Sequence, residues 1–503
     1  MAKRLWVLVV VLSLMVGTAA AQGAQAILKA ASTAMGAGNL KSIQYSGTGW
    51  NAAVGQSFSA EEDWPRFEVT KYTRTIDYDA RSSREELTRR QGNYPPQGGG
   101  GTPIQGEQQQ VSLVTGNYSW NMAGQNANPA VAAAELRQLD IWLSPHGVLK
   151  AAMADRNATA ASLTLGGGKV TIVTFTALGK YRVNATITDQ NLVERVQTWV
   201  PNPVFGDMVY EHRYTEYKDY SGVKFPTVLH SHQGDPRLNP GHNWMEVRVT
   251  SAQPNPAGAA LVVPDNVRSA AVAPVVAQSQ RLANGVWLVA GGSHNSVAVE
   301  FRDFVAVVEA PQDETRSLAV IAEVQKLVPG KPIQYIVNTH HHFDHSGGLR
   351  TYVAHGATVV THQSNRAFYE DVLLYPSART LQPDLLSTRY PWFSGNRVPA
   401  IEAVSQKYVL SDGVRTVDIH PVQGLAHNSN MLLVYLPTEK ILINADLYGP
   451  PAANAPAPAP NANMRTLRQN IQRLRLDVAQ HVPIHGAPGP HDQFLKIVGT
   501  GSN

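Results

Sequence analysis

Cysteine is absent from all 503 residues. That excludes disulfides, thiolate metal ligands and cysteine nucleophiles, so any metal site must be built from histidine and carboxylate. It also excludes a lipidated cysteine behind an N-terminal signal. Charge is sparse as well: 16% of residues are Asp, Glu, Lys or Arg, and the formal net charge is +4. Loss of Lys3 and Arg4 with a signal segment lowers it to +2. With no dense Lys/Arg stripe and no interleaved aromatics, no nucleic-acid partner is expected. The apolar run Leu5–Val16 is too short and wrongly flanked for a membrane span.

That run, preceded by Lys3 and Arg4 and followed by Ala19-Ala20-Ala21, reads as a signal peptide over residues 1–21, cleaved before Gln22. The expectation is a periplasmic or secreted protein with no transmembrane segment after cleavage. Retention of the segment as an N-terminal anchor is the alternative.

The remainder is 43% hydrophobic over the whole chain, which suits a folded protein of two or three domains. Residues 24–37 read as a short helix ending at Gly36 and Gly38. From Ser42 to Val262, short alternating runs such as Lys169–Phe175 and Tyr181–Ile187 predict an antiparallel meander, with a helical insert near 128–154. The Pro-, Gly- and Gln-rich stretch 94–110 reads as a mobile loop, and the Ala-, Val- and Pro-rich residues 263–279 as a linker. Residues 280–503 alternate strand and helix, including a helix over Glu314–Leu327 and another over Met464–Ala479. The expected architecture is α+β: a β-rich N-terminal domain (22–262), then an αβ/βα sandwich (280–503). Few contacts are expected to cross between them, and the segment Leu373–Val398 is expected to line the pocket.

The densest chemical signal is His340-His341-His342-Phe343-Asp344-His345, an H-x-H-x-D-H pattern directly after the apolar strand Pro332–Asn338. Ligands at the carboxyl end of a strand are where open α/β sheets hold them. His340 and His342 share a face in extended backbone and can reach one metal, while His341 points away. Asp344 and His345 lie past the turn and can reach a second metal. Downstream, His427 sits in a loop before a strand, Asp446 at a strand's end, and His485 after the last expected helix. His294 and His362 are candidates to line the cleft. His146, His212, His230, His232 and His242 read as ordinary surface or core residues.

This half, from about Gln280 to Leu495, resembles the metallo-β-lactamase fold superfamily. The resemblance implies an αβ/βα sandwich with a dinuclear centre. His340, His342 and His427 would hold the first metal, Asp344, His345 and His485 the second, and Asp446 would bridge. Two zinc ions are implied, with iron or manganese as alternatives. Ala426 stands where the family commonly has Gly before the third His, and Ile484 where it has Gly before the last. The implied activity is attack by metal-bound hydroxide on the carbonyl of a small ester, lactone, thioester or amide, with Asp344 as the catalytic carboxylate. Asp446 is similar to the strand-end Asp of glyoxalase II and lactonases, whereas Asn430–Pro437 resembles the corresponding strand of β-lactamases. A β-lactamase is therefore the alternative. A hydrophobic-ligand-binding protein with a vestigial enzyme domain is the alternative of another class.

Overall fold

The computed structural model describes residues 23–499, apart from 166–167, 235–242, 375–378, 390–399 and 453–454. The expected signal peptide, His242 and part of the 373–398 segment therefore lie outside the described residues.

Six strands from Ser42–Ala52 to Asn126–Pro129 form one antiparallel meander, and seven from Thr159–Leu165 to Asn243–Pro254 form another. The first strand of the first meander pairs with the last of the second, with Ile43 opposite Pro254 and Asn51 opposite Met245. The two halves thus merge into one sheet of 13 strands. A helix over residues 23–34 places Ala24, Leu28 and Ala31 on one stripe, joined by Met35, all fully buried. Together with Leu139, Ile141 and Leu143 of Ala134–Leu143, and Val148 and Leu149 of Gly147–Ala154, they build one core with the sheet.

The second half contains a seven-stranded and a six-stranded sheet. Alternation along each strand divides its side chains between two cores. Val297, Val299, Ala306 and Val308 join Val417, Ile419 and Leu433 of the other sheet in one core. Ala298, Val305 and Val307 face the opposite way, toward Val320, Ile321 and Val324 of the helix Glu314–Leu327. That helix has the expected bounds, with the Asp313 side chain accepting from the Arg316 N–H at its start. Strands Val305–Val308, Ile333–Val337, Thr358–His362 and Ile401–Val404 run parallel, consistent with their near-continuous apolar sequence. Among the described residues no helix is long and apolar enough to cross a membrane.

Two expectations need correction. The helix expected over 464–479 spans Ala462–Leu474, where Arg475 turns left-handed at φ 52° and Leu476 N–H closes back on the Ile471 carbonyl. The strand Gln480–Pro483, parallel to Ile441–Asn444, comes next, and a last helix, His491–Val498, follows. The expectation that few contacts join the halves also fails, because two loops of the 13-stranded sheet reach into the histidine cluster. One of them is the 94–110 stretch, whose Gly98 N–H donates to the carbonyl of Ala426, the residue before His427.

Candidate metal centre

The site is assembled at the carboxyl ends of parallel strands. Ile333–Val337 delivers Asn338 to His342; the Asn338 N–H donates to the Val360 carbonyl, and the Thr339 N–H to Glu309 Oε1 at 2.7 Å. His342 then caps the short helix Phe343–Ser346, which carries Asp344 and His345. Ile441–Asn444 delivers Asp446, and Gln480–Pro483 delivers His485. Glu309 and Asp446 both have left-handed backbone, φ 72° and 58°. Such non-glycine conformations are sparsely populated and cluster at functional sites.

Asp446 lies at the middle of the cluster. Its Oδ2 is 3.2 Å from His340 Nε2 and 3.1 Å from both His345 Nε2 and His427 Nε2, and its Oδ1 is 2.9 Å from His485 Nε2. Three candidate groups result: His340, His342, His427 and Asp446 in one, His294, Asp344, His345 and His485 in the second, and Glu309, His340 and His345, wholly buried, in the third. Within each group the donor atoms all lie within 4.8 Å of one another. The structure therefore brings together all seven sequence-derived candidates and adds His294, whose Nε2 is 3.4 Å from Asp344 Oδ2.

The imidazoles are held from behind. His342 Nε2 donates to the Ser57 carbonyl at 2.9 Å, so its Nδ1 presents a lone pair on the other side. His345 Nδ1 donates to Glu309, which turns Nε2 toward Asp446. Such outer contacts fix the tautomer of ligating histidines. His340 Nε2, His342 Nδ1, His427 Nε2 and Asp446 Oδ2 are buried without a hydrogen-bond partner. Convergent orphaned acceptors of nitrogen and oxygen are the donor set that a divalent cation of zinc type requires.

Charge distribution agrees. Burial, followed by the neighbouring His345, pushes the His340 imidazole down to about 3, and burial holds His342 well below its ordinary value. Both are neutral at neutral pH, the form in which an imidazole can bind a metal. Burial alone would raise Asp446, but His345, His340 and His427 hold it well below the usual carboxylate range. Burial would lower His345, yet Asp446 and Glu309 raise it well above its ordinary value. A divalent ion and a proton on His345 compete for this same carboxylate field.

Residues from the N-terminal sheet complete the surroundings. Gln56 Nε2 donates to Asp344 Oδ1 at 2.7 Å, and Ser57 Oγ is 3.0 Å from His341 Nε2. His341 is turned away from the ligand groups, as expected, and its Nδ1 lies near Asn428 and Asn430. Beside the candidate ligand groups opens a cleft of ≈ 760 Å3, lined by Thr102, Pro103 and Gln105 of the N-terminal half and by Tyr448, Asn463 and Arg465 of the C-terminal half.

The other described histidines fall outside this cluster. His362 accepts from the Ser364 N–H, and fully buried His146 stacks on Phe225. His230 and His232 face each other with Glu246 and Glu211 beside them, and Glu211 is already engaged by Arg195 and Arg213. Sequence reasoning misses Glu309, Gln56 and Ser57. An acid directly after the apolar run Phe304–Val308 is a usable signal for Glu309. Nothing local marks Gln56 or Ser57.

Residues 289–453 match the family model of the metallo-beta-lactamase superfamily, a span that includes His294 through Asp446 and stops before His485. No curated protein matches the chain. Similar solved structures include DIM-1 metallo-beta-lactamase, at 14% identity and TM-score 0.33, covering 44% of this chain and 96% of that one. The FIM-1 enzyme from Pseudomonas aeruginosa in its mono-zinc form shows 20% identity and TM-score 0.30, covering 44% and 92%. A metallo-beta-lactamase from Hirschia baltica shows 16% identity and TM-score 0.31, covering 44% and 94%.

Proposed function

We propose that this chain, a hydrolase whose residues 289–453 belong to the metallo-beta-lactamase superfamily, is exported and cleaves the carbonyl bond of a small ester, lactone, thioester or amide at a dinuclear metal centre. The observation that carries this reading is the convergence of inward-facing histidine nitrogens around Asp446, with four buried donor atoms unpartnered. His340, His342 and His427 would hold one ion, Asp344, His345 and His485 the other, and Asp446 lies between the groups. His294 stands within reach of the second.

Bound divalent ions would lower the pKa of water toward neutrality and polarise the substrate carbonyl. The protein's own groups supply the rest. Asp344 is ionised, since burial raises its carboxyl less than His294, His345 and His340 lower it. It serves as a hydrogen-bond acceptor that aims the attacking water instead of as a strong base. Water's oxygen bonds to the carbonyl carbon, the C–O, C–S or C–N bond breaks, and the alcohol, thiol or amine departs with a proton. The cleft beside His427 and His485 fits a small molecule and offers Thr102, Gln105, Asn463 and Arg465 as polar contacts.

Export rests on the residue 1–21 pattern, and the first residue of exported protein, read by mass spectrometry, should be Gln22. The activity is tested by screening zinc-, iron- and manganese-loaded full-length protein against lactones, thioesters, esters and β-lactams. Turnover of one carbonyl class that chelator abolishes and metal restores supports the reading. Absence of turnover across all of them by metal-loaded, folded protein overturns it.

A further inference from the structure

We propose that the N-terminal sheet is a working part of the metal centre, with Gln56 as the positioning residue that holds Asp344 and couples it to the wall of the substrate cleft. This rests on the metal reading above. It goes beyond it by giving the N-terminal half a defined role.

Two loops of the sheet carry the contact. The first, between Ala52 and Arg66, lies against the helix that bears Asp344: the Gly55 carbonyl accepts from the Phe343 N–H at 3.1 Å. A Cβ on Gly55, whose φ is +74°, would sit 2.3 Å from the Phe343 ring, so no side chain fits between loop and helix. One residue on, the Gln56 amide donates to Asp344 Oδ1, and Ser57 holds His342 and His341. Next, the Phe58 carbonyl accepts from the Ser429 N–H, two residues past His427. The second loop, between Arg90 and Gln108, is a strap. Its Gly98 N–H donates to the carbonyl of Ala426, and a Cβ on Gly99 would meet Gln56 Oε1 at 2.0 Å and His342 Cε1 at 2.9 Å. The sheet therefore clamps both chain segments that carry the first ion's expected ligands, from the side opposite the α/β sandwich.

Gln56 joins the two loops. Its Oε1 accepts from the Gly100 N–H at 3.1 Å while its Nε2 donates to Asp344. The orientation of this amide is unambiguous, because an ionised carboxylate only accepts and a backbone N–H only donates. Pro103 and Gln105, both on the cleft wall, lie three and five positions after Gly100. Movement of the strap is thus transmitted through one side chain to a carboxylate assigned both to an ion and to the attacking water. Partners of ligating carboxylates affect metal affinity or activity by roughly 10–100-fold when removed.

The test compares wild type, Gln56→Met and Thr102→Val as full-length proteins, by chelator-competition metal titration, steady-state kinetics and thermal unfolding. Gln56→Met keeps the shape and loses both hydrogen bonds. Thr102→Val removes the strap's side-chain bond to the Gly99 carbonyl, 2.7 Å in the native chain, together with a hydroxyl on the cleft wall, and leaves Gln56 and its two hydrogen bonds in place. Expected for Gln56→Met is a tenfold or greater loss of affinity for the second metal equivalent and a similar fall in kcat, with KM little changed. For Thr102→Val, KM should move while metal affinity stays at the wild-type value. If wild type holds two equivalents and Gln56→Met holds them equally tightly with wild-type kcat, this inference alone is overturned. It is overturned as well if the losses merely track a smaller folded fraction. A folded wild type that takes up no metal overturns the metal reading, and this inference with it.

Discussion

The Glu309 carboxylate accepts from His345 Nδ1 at 2.5 Å and from the Thr339 N–H at 2.7 Å. One buried acid thus sets the tautomer of His345 and anchors the turn that leads into His340. Glu309→Gln can still accept from Thr339, but its amide N–H2 cannot accept from His345. The imidazole proton would then be held on Nε2, the nitrogen that must be deprotonated to bind an ion. We expect metal affinity to fall about 10–100-fold with secondary structure unchanged. Chelator competition with circular dichroism on the same samples checks it, and unchanged affinity would show that the tautomer is set elsewhere.

Asp344→Ala should abolish turnover and leave the fold intact. The side chain is 40% exposed, so its loss removes little packing. Removal of a group that orients the reacting water costs on the order of 10^2–10^4-fold in kcat. Wild-type turnover on any confirmed substrate would refute the assignment.

His341→Ala should behave in the opposite way. His341 is 2% exposed and meets Ser57, Asn428 and Asn430, none of them a ligand candidate. Deleting it leaves buried polar partners unsatisfied, at a cost of about 1–3 kcal/mol. Urea unfolding should show that loss, while metal content and kcat per folded chain stay near wild type.

The junction between the halves also contains a buried charge network. Asp384 pairs with Arg350 and Arg379, and Arg379 donates to the Asn202 and Val204 carbonyls of the N-terminal sheet. Burial would raise the Asp384 carboxyl, but Arg350 and Arg379 bring it down to about 2. A carboxyl lowered on folding stabilises above its unfolded value of about 3.9, and that stability is lost as pH falls through about 2. Asp384→Asn should therefore destabilise by about 3–5 kcal/mol at neutral pH, where it strands buried arginines. The gap from wild type should narrow by about 2–3 kcal/mol as pH falls from about 4 through about 2. A pH-independent gap would mean that the loss comes from packing.

Limited proteolysis should cut first within residues 269–277, which are almost wholly exposed and without regular structure. The strap, whose backbone is bonded to Gln56 and Ala426, should be cut later. Mass spectrometry of early fragments decides the order.

The chain discloses locally only what local signals can carry. The helix Glu314–Leu327 is legible because a cap, an apolar stripe and turn residues coincide there. The ligands are legible because His340, His342, Asp344 and His345 crowd behind one strand. The stop at Leu474 is not, since Arg475 adopts a conformation that glycine usually marks. The role of Gln56 is hidden for a different reason. It meets Asp344 across 288 positions of sequence, from a loop with no periodicity, through tertiary packing that no local signal records.

The most direct measurement is the metal content of full-length protein purified without chelator, beside the Asp446→Asn variant. Two equivalents per wild-type chain, with the variant falling to one or none, is the predicted result. A folded wild type that holds no metal, and takes up neither zinc, iron nor manganese on reconstitution, would contradict the account.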